Sequence, residues 1–421
     1  MMITEQRPDA GHTPPARTRP LDVAALRAAT PGVAMVTHFN HAGASLMSET
    51  TLAAVTEQLQ REALYGPHEA AVGVQPRLDA ARADAATLLG ASPSEIAFTP
   101  SGSAGWGLAF AALPRLRAGD RILVGRHDWG GNLATMRTAA DRAGATIEVI
   151  PCQEDGAVDA DALARMIDDR VRLVALTWLP ANGGLINDAA AIGRVTRAAG
   201  VPFFVDAGQA LGQLPVDVEV VGCDVLKGAG RKHLRGPRGT ALLYVRNGFR
   251  KSLTPAFLDV LSGPWRNGGA EPRDDARVFE TSEVPVALQL GLGAALRQAL
   301  DLGIDAIRAR IAPLAERLRA QLADTHGVTL ADLGTERSGL VAFTVAGRDA
   351  QEVKAALGAQ KINVGANGVP YTPLDMTARG LDGIVRASVH AFNTEEELDR
   401  LVAAVARIAS ATHIHAQEIV R

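Results

Sequence analysis

The sequence predicts an α/β protein: a large domain with a mostly parallel seven-stranded sheet between helices, and a smaller C-terminal α/β domain. Three observations carry this expectation. Seven short apolar, often β-branched runs lie between Glu95 and Val245. Alanine-rich amphipathic stretches separate most of them. The runs do not alternate apolar with polar, as expected of strands covered on both faces.

In order along the chain, residues 1–20, "MMITEQRPDAGHTPPARTRP", are polar and proline-rich. They lack the apolar core of a signal peptide and are expected to form a flexible tail. "PLDVAALRAAT" reads as a short helix. The seven strands are "EIAFTP", "RILVGR", "TIEVIP", "VRLVALTW", "PFFVDA", "CDVLKG" and "TALLYV". "NLATMRTAADRAG" and "DAAAIGRVTRAAG" are two of the helices between them. "SGPWRNGGAEPRDDARVFETSEVP" is long for a connector, which points to a functional loop or an interface. A long helical segment starts near Val286. "LVAFTVAG", "AQEVKAALGAQ", "INVGA", "GIVRASVH" and "TEEELDRLVAAVARIAS" then form a small α/β unit. The expected division is a large domain over 35–285 and a small one made of 21–34 and 286–421.

Composition narrows the function. The chain has 421 residues and is 47% hydrophobic, enough for a sizeable core. Lys+Arg number 43 against Asp+Glu 46, a net charge of −3. That balance points to no nucleic-acid partner and no membrane surface. Two cysteines, Cys152 and Cys223, stand far apart in no metal-like spacing, so no metal is expected and a cytoplasmic setting is. No apolar stretch is long enough to span a bilayer, and no internal repeat is evident.

Four features follow strand ends, where ligands of such sheets gather. In "TPSGSAGWGLAFAAL" a Ser/Gly turn opens a helix. The amides of Gly102, Ser103 and Ala104, with the Ser103 hydroxyl, suit a phosphate there. An ordinary cap by Ser101 or Ser103 is the alternative. In "FFVDAGQALG", Asp206 ends a strand and Gln209 follows. A carboxylate at that depth needs a cation or a helix to cap. Lys232, in "GAGRKHLRGPRGTALLYV", follows the next strand in a loop stiffened by glycine and proline. A desolvated lysine can form a Schiff base, or simply pair with an anion. Trp129, in "RHDWGGNLATM", can stack on a planar ring or pack as core. Together these are the needs of pyridoxal 5′-phosphate: a phosphate cup, an amine for its aldehyde, an acid for its ring nitrogen and a flat neighbour. Arg231, in the lysine loop, is placed to face the phosphate.

"VDAGQALGQLPVDVEVVGCDVLKGAGRKHLRGPRGTALLYV" resembles the core of the class V, fold-type I pyridoxal-phosphate enzymes. That group holds cysteine desulfurases, isopenicillin N epimerase-like proteins and the C–S lyase of ergothioneine biosynthesis. The resemblance runs from "FNHAGASL" to "VRASVHAFNTEEELDRLV", nearly the whole folded chain. It implies Lys232 as the Schiff-base lysine and proton shuttle, Asp206 on the ring nitrogen and Gln209 on the ring hydroxyl. It implies Trp129 as the stacking residue and Ser103 with the Gly102 amide at the phosphate, while Arg231 stands where desulfurases carry a histidine. Asn182 is implied near the ring. Arg386 is implied on the substrate carboxylate, with Asn40 and His41 beside it. A homodimer is also implied.

Desulfurases of this group carry a nucleophilic cysteine shortly before that arginine. Here the segment reads "INVGANGVPYTPLDMTARGLDGIV", without one. Cys152 and Cys223 are expected to be buried, inert thiols. Ala229 replaces a hydroxyl residue, and Glu283 stands where desulfurases have a threonine reaching the neighbouring subunit's phosphate. The expected activity is therefore β-elimination from an S-substituted cysteine, a C–S lyase and not a persulfide-forming desulfurase. Transamination, epimerisation and a decarboxylating or oxidatively deaminating reaction on a cysteine conjugate stay open, as does a non-catalytic binding protein. The segments Gly263–Gly269 and Gly365–Gly368 are candidate pocket loops. The small-molecule partner is an amino acid.

Overall fold

The computed structural model describes residues 20–419, with side chains described as far as residue 410. The expected tail, 1–20, lies outside the described residues except for Pro20. All seven expected strands form one sheet. Its order is Ile96–Thr99, Ala241–Val245, Val225–Lys227, Phe203–Asp206, Val171–Thr177, Arg121–Val124 and Thr146–Val149. Ala241–Val245 runs antiparallel to both neighbours and every other pairing is parallel. Burial of both faces explains the unbroken apolar runs: Phe203 and Val205 enter the core on one side, Phe204 the core on the other.

Side-chain caps fix where the crossover helices begin. Ser101 caps Gly102–Ala111, Asp159 caps Ala160–Met166 and Asp188 caps Ala189–Ala199. Such caps hold the turns at the carboxyl edge of the sheet, where the expected ligand groups lie.

A second sheet is antiparallel throughout, ordered Val328–Leu330, Leu340–Val345, Gly383–Ser388, Gly365–Gly368. Its core includes Leu318, Phe343, Leu357 and Leu401, from strands and helices alike. Helix Val286–Leu302, expected with the small unit, packs instead against Glu49–Tyr65 and Gln75–Leu89. Its Leu292 and Leu296 enter the core of the large sheet. The early segment Thr37–His38 pairs in parallel with Ile362–Asn363, and Asn40 bridges to Ser388. This strap carries residues 40–45 across from the small sheet to the edge of the large one. Among the described residues, no helix is long and apolar enough to cross a membrane.

Candidate active site

A cavity of about 290 Å³ opens over the carboxyl edge of the large sheet, lined among others by Gly102, Ser103, Trp129, Asp206, Lys232 and Arg386. Its floor is polar. The Lys227 ammonium lies 2.7 Å from the Asp206 carboxylate, both side chains 7% exposed. Asp206 also accepts from the Asn132 amide at 3.0 Å and from the Gly208 N–H at 2.9 Å. Burial alone would push its carboxyl up, but Lys227 and Lys232 outweigh burial and hold it below the usual carboxylate range.

Lys232 stands on a loop closed by its own backbone. Gly228 N–H donates to Leu242 at 2.8 Å, Gly230 N–H to Thr240 at 3.0 Å and Gly236 N–H to Gly230 at 2.8 Å. Glycine is required at Gly212, where φ is 88° and a Cβ would lie 2.5 Å from the His233 backbone. Arg235 pins the loop from behind, donating to Leu46 O at 3.0 Å and Thr30 Oγ1 at 2.6 Å. Burial lowers the Lys232 amine to about 7, with Asp206 opposing. Near neutral pH a good share of it is therefore unprotonated and able to act as a nucleophile or base.

Trp129 sits with its ring centroid 5.9 Å from Lys232 Nζ. The Trp129 backbone N–H donates to Thr177 Oγ1 at 2.9 Å, and the Thr177 hydroxyl donates to Asp128 at 2.7 Å. Burial pushes the Asp128 carboxyl up to about 6 against those hydrogen bonds. At the helix start, Ser101 accepts from Ala104 N–H at 3.1 Å, which spends that amide on the cap. Gly102 and Ser103 line the cavity, whereas Ala104 lines a neighbouring apolar groove. Arg231 and Arg238 both line the cavity, and burial with their mutual repulsion lowers the Arg231 guanidinium.

Arg386 forms part of the opposite wall. It is buried, donates to Ala181 O at 2.7 Å and reaches Asn40 Oδ1 at 3.4 Å. No carboxylate pairs with it among the described residues, and its Nε has no partner. A neighbouring acid therefore does not account for this arginine. A buried fork without an anion suits an incoming carboxylate.

Several expected residues stand elsewhere. Asn182 is turned away from the cavity: its amide donates to Thr372 Oγ1 at 2.8 Å and its oxygen accepts from Asn367 at 2.9 Å. The cavity wall there is Ala181. His41 likewise lies behind the wall formed by Ala42. Its ring bonds Ser45 Oγ at 2.9 Å and His38 O at 3.0 Å, within a buried group that includes His233 and His390. Gln209 lines the cavity, donates to Ala42 O at 3.0 Å and leaves its buried oxygen unpaired. Glu283 lines the apolar groove, and the Gly263–Gly269 segment starts from a buried Gly263 and runs into a small hairpin, Trp265–Arg266 against Gly269–Ala270, with its tip exposed. Gly365 lies against Arg386. The sequence reading does not single out Lys227, Asn132, Thr177 or Thr240, while Arg238 belongs to the lysine loop whose arginines it expects at the phosphate. Only Lys227, a charge inside an apolar run, offered a signal.

This arrangement defines an enzyme of the aminotransferase class-V family. The family model matches residues 37–401, and the chain belongs to that family. A cysteine desulfurase of Yersinia pestis (strain Pestoides F) is 30% identical over 357 residues, covering 82% of this chain and 85% of that one. The cysteine desulfurase CsdA of Escherichia coli, solved as its S-sulfonic acid, superposes with a TM-score of 0.83 at 25% identity. It covers 92% of this chain and 98% of its own. A C-DES mutant solved with glycine covalently linked to its PLP cofactor superposes at 0.80 with 26% identity, covering 90% and 98%. The chain is thus a pyridoxal-phosphate enzyme.

The residues fit that cofactor. The unpaired Gln209 oxygen and the paired Asp206 face one cavity with the half-buried Lys232 amine and a helix N-terminus. The expected C–S lyase that is not a desulfurase is overturned: the curated relatives spanning four-fifths of the chain are themselves named cysteine desulfurases.

Proposed function

We propose that the chain removes sulfur from cysteine, with Lys232 as the cofactor-bearing lysine. The observation that carries the reading is the half-buried Lys232 amine near Asp206, in a cavity that also contains a buried Arg386 with no carboxylate partner among the described residues. The choice of cysteine rests on the names of the relatives.

When bound, pyridoxal phosphate supplies an aldehyde for amines and a ring that draws electron density from the substrate's Cα. Ser103, the Gly102 amide, Arg231 and Arg238 would hold its phosphate, with Trp129 against its ring. Asp206 would face the ring nitrogen and the Gln209 oxygen the ring hydroxyl. Arg386 binds the α-carboxylate, with Asn40 steadying the guanidinium. Lys232 takes the proton from Cα and returns it.

Overall, cysteine and an acceptor thiol give alanine and a persulfide. The Cβ–S bond breaks and its electron pair stays with Cβ, the sulfur forms an S–S bond to the acceptor thiol, and one proton replaces it on Cβ. Neither cysteine of the chain lines the cavity. Cys223 is buried and Cys152 half-buried, and burial pushes both thiols up. Thiolate character is what makes a cysteine reactive, so the acceptor comes from outside the chain. A cytoplasmic homodimer belongs to the same proposal. Exposed Phe257, Val260 and Trp265 support a covered face there.

The test is incubation of the holoenzyme with L-cysteine and dithiothreitol. Alanine and sulfide in equal amounts are expected. Pyruvate and ammonia in place of alanine would contradict the proposal.

A further inference from the structure

The strand Gly365–Gly368 pairs with the strand that carries Arg386, with Gly365 directly opposite the arginine. A Cβ on Gly365 would lie 3.1 Å from Arg386 Nη2, so glycine leaves the guanidinium its room. Residues 368–375 then arch across to the large domain, which ties them down along their length. Gly130 N–H donates to Tyr371 O at 2.9 Å. A Cβ on Gly130 would lie 2.1 Å from Pro370 O, an approach that only glycine permits. The Asn182 amide donates to Gly368 O at 3.2 Å and to Thr372 Oγ1 at 2.8 Å, and its oxygen accepts from Asn367 at 2.9 Å. His127 Nε2 lies 3.4 Å from Asp375 Oδ1, both side chains buried.

At the top of this arch the Tyr371 ring meets the Trp129 ring, with centroids 5.5 Å apart and planes tilted by 54°. Burial lowers the Arg386 guanidinium to about 10 and Tyr371 opposes it, so the phenol acts on the guanidinium from the other side. Tyr371 therefore stands at the rim between the residue assigned to the cofactor ring and the residue assigned to the α-carboxylate. At 39% exposure it narrows the mouth without sealing it. Backbone ties hold it there, so its ring is a fixed wall for whatever enters.

We propose that Tyr371 sets the size of the substrate: its ring closes the side of the cavity that receives the β-substituent, admitting a bare thiol and refusing a bulky S-substituent. Four groups on Cα need four places. The carboxylate goes to Arg386, the nitrogen to the cofactor and the hydrogen to Lys232. The side chain is left with the rim, where Tyr371 stands. Asn182 is a positioning residue in this account: it acts on the substrate only by holding the arch. The inference rests on the roles given to Arg386 and Lys232 in the proposed function.

The test compares the binding of S-methyl-L-cysteine and S-benzyl-L-cysteine to the holoenzyme, read by titrating the cofactor's absorbance. In the native protein the benzyl compound is expected to bind about 10–100-fold more weakly, as a group forced into occupied space does. In Tyr371→Ala the two are expected to bind within about threefold of each other, because the obstructing ring is gone. Tyr371→Phe keeps the ring and should keep the native ratio. Asn182→Ala frees the arch and should move the ratio in the same direction as Tyr371→Ala, by less; it decides the matter should the alanine variant at 371 not fold. Equal binding of both compounds by the native protein, or a native ratio in Tyr371→Ala, would overturn the inference. So would a Tyr371→Phe variant that behaves as Tyr371→Ala does. Alanine and pyruvate from L-cysteine, measured on the same preparations, separate the two proposals. Pyruvate in place of alanine, with the binding ratio moving as expected, overturns the proposed reaction and leaves Tyr371 in its role. A native absorbance that neither compound changes overturns both.

Discussion

The floor of the cavity and its wall around Arg386 are built on opposite principles. On the floor, the Asp206 carboxylate is met by Lys227, Asn132 and Gly208. On the wall, buried groups are left incomplete: Arg386 Nε and the Gln209 oxygen have no partner. A carboxylate met on both oxygens holds its geometry, although Asn132 Oδ1 and Asp128 Oδ2 behind it have no partner. An unsatisfied group on the cavity wall is a standing demand for a ligand. The floor therefore sets the chemistry, and the wall sets what is admitted.

Substitutions should separate the two regions by kind as well as by size. The largest effect is expected for Lys232→Ala: turnover of cysteine falls at least about 10³-fold, as loss of a positioned acid–base group does. Alanine formation measures it. Asp206→Ala strands a buried ammonium and should cost about 3–5 kcal/mol of stability in cofactor-free protein, seen in urea unfolding. An Asp206→Ala variant as stable as the native protein would break the contrast between the regions.

Acid tests the support behind the lysine loop. Burial lowers His233 to about 3 and holds His41 and His390 well below their ordinary value. The unfolded chain binds those protons from about pH 6.5 downward and the folded chain does not. Stability is thus full above about pH 6.5 and lost as pH falls towards 3. The loss is on the order of 3 kcal/mol by about pH 4 for one such histidine. Urea midpoints across that range should fall steadily.

On the wall, Arg386→Gln removes charge-assisted bonds and should lower kcat/KM for cysteine by about 10–100-fold, mostly through KM, with the fold intact. The smallest effect is expected for Asn132→Ala, about 1 kcal/mol, since Lys227 and Gly208 still hold Asp206. Parallel unfolding curves would show it.

The same contrast explains what could be read from the sequence. All seven strands were legible because burial on two faces leaves unbroken apolar runs. Lys232, Asp206, Trp129 and Ser103 were legible because each follows a strand end, and they line one cavity. Asn182 and His41 miss the cavity by one position: Ala181 and Ala42 line it instead. Residue type and spacing do not say which of two neighbours faces inward in an irregular segment. Ala104 was misplaced because its amide goes to the Ser101 cap, a local competition between two uses of the same N–H. Asn132 meets Asp206 from 74 positions away, a contact that only the packed sheet creates. The absent cysteine before Arg386 points away from a desulfurase, yet the relatives that match along four-fifths of the chain are named cysteine desulfurases: one residue in one loop says less than a pattern spread over the fold.

Two lysines share this cavity, and only one of them is assigned the cofactor. Borohydride reduction of the holoenzyme, followed by digestion and mass spectrometry, locates the bond directly. The expected result is a phosphopyridoxyl group on the peptide containing Lys232, with Lys227 unmodified. The label on Lys227, or on neither lysine, would contradict the assignment on which the floor, the wall and the proposed reaction all depend.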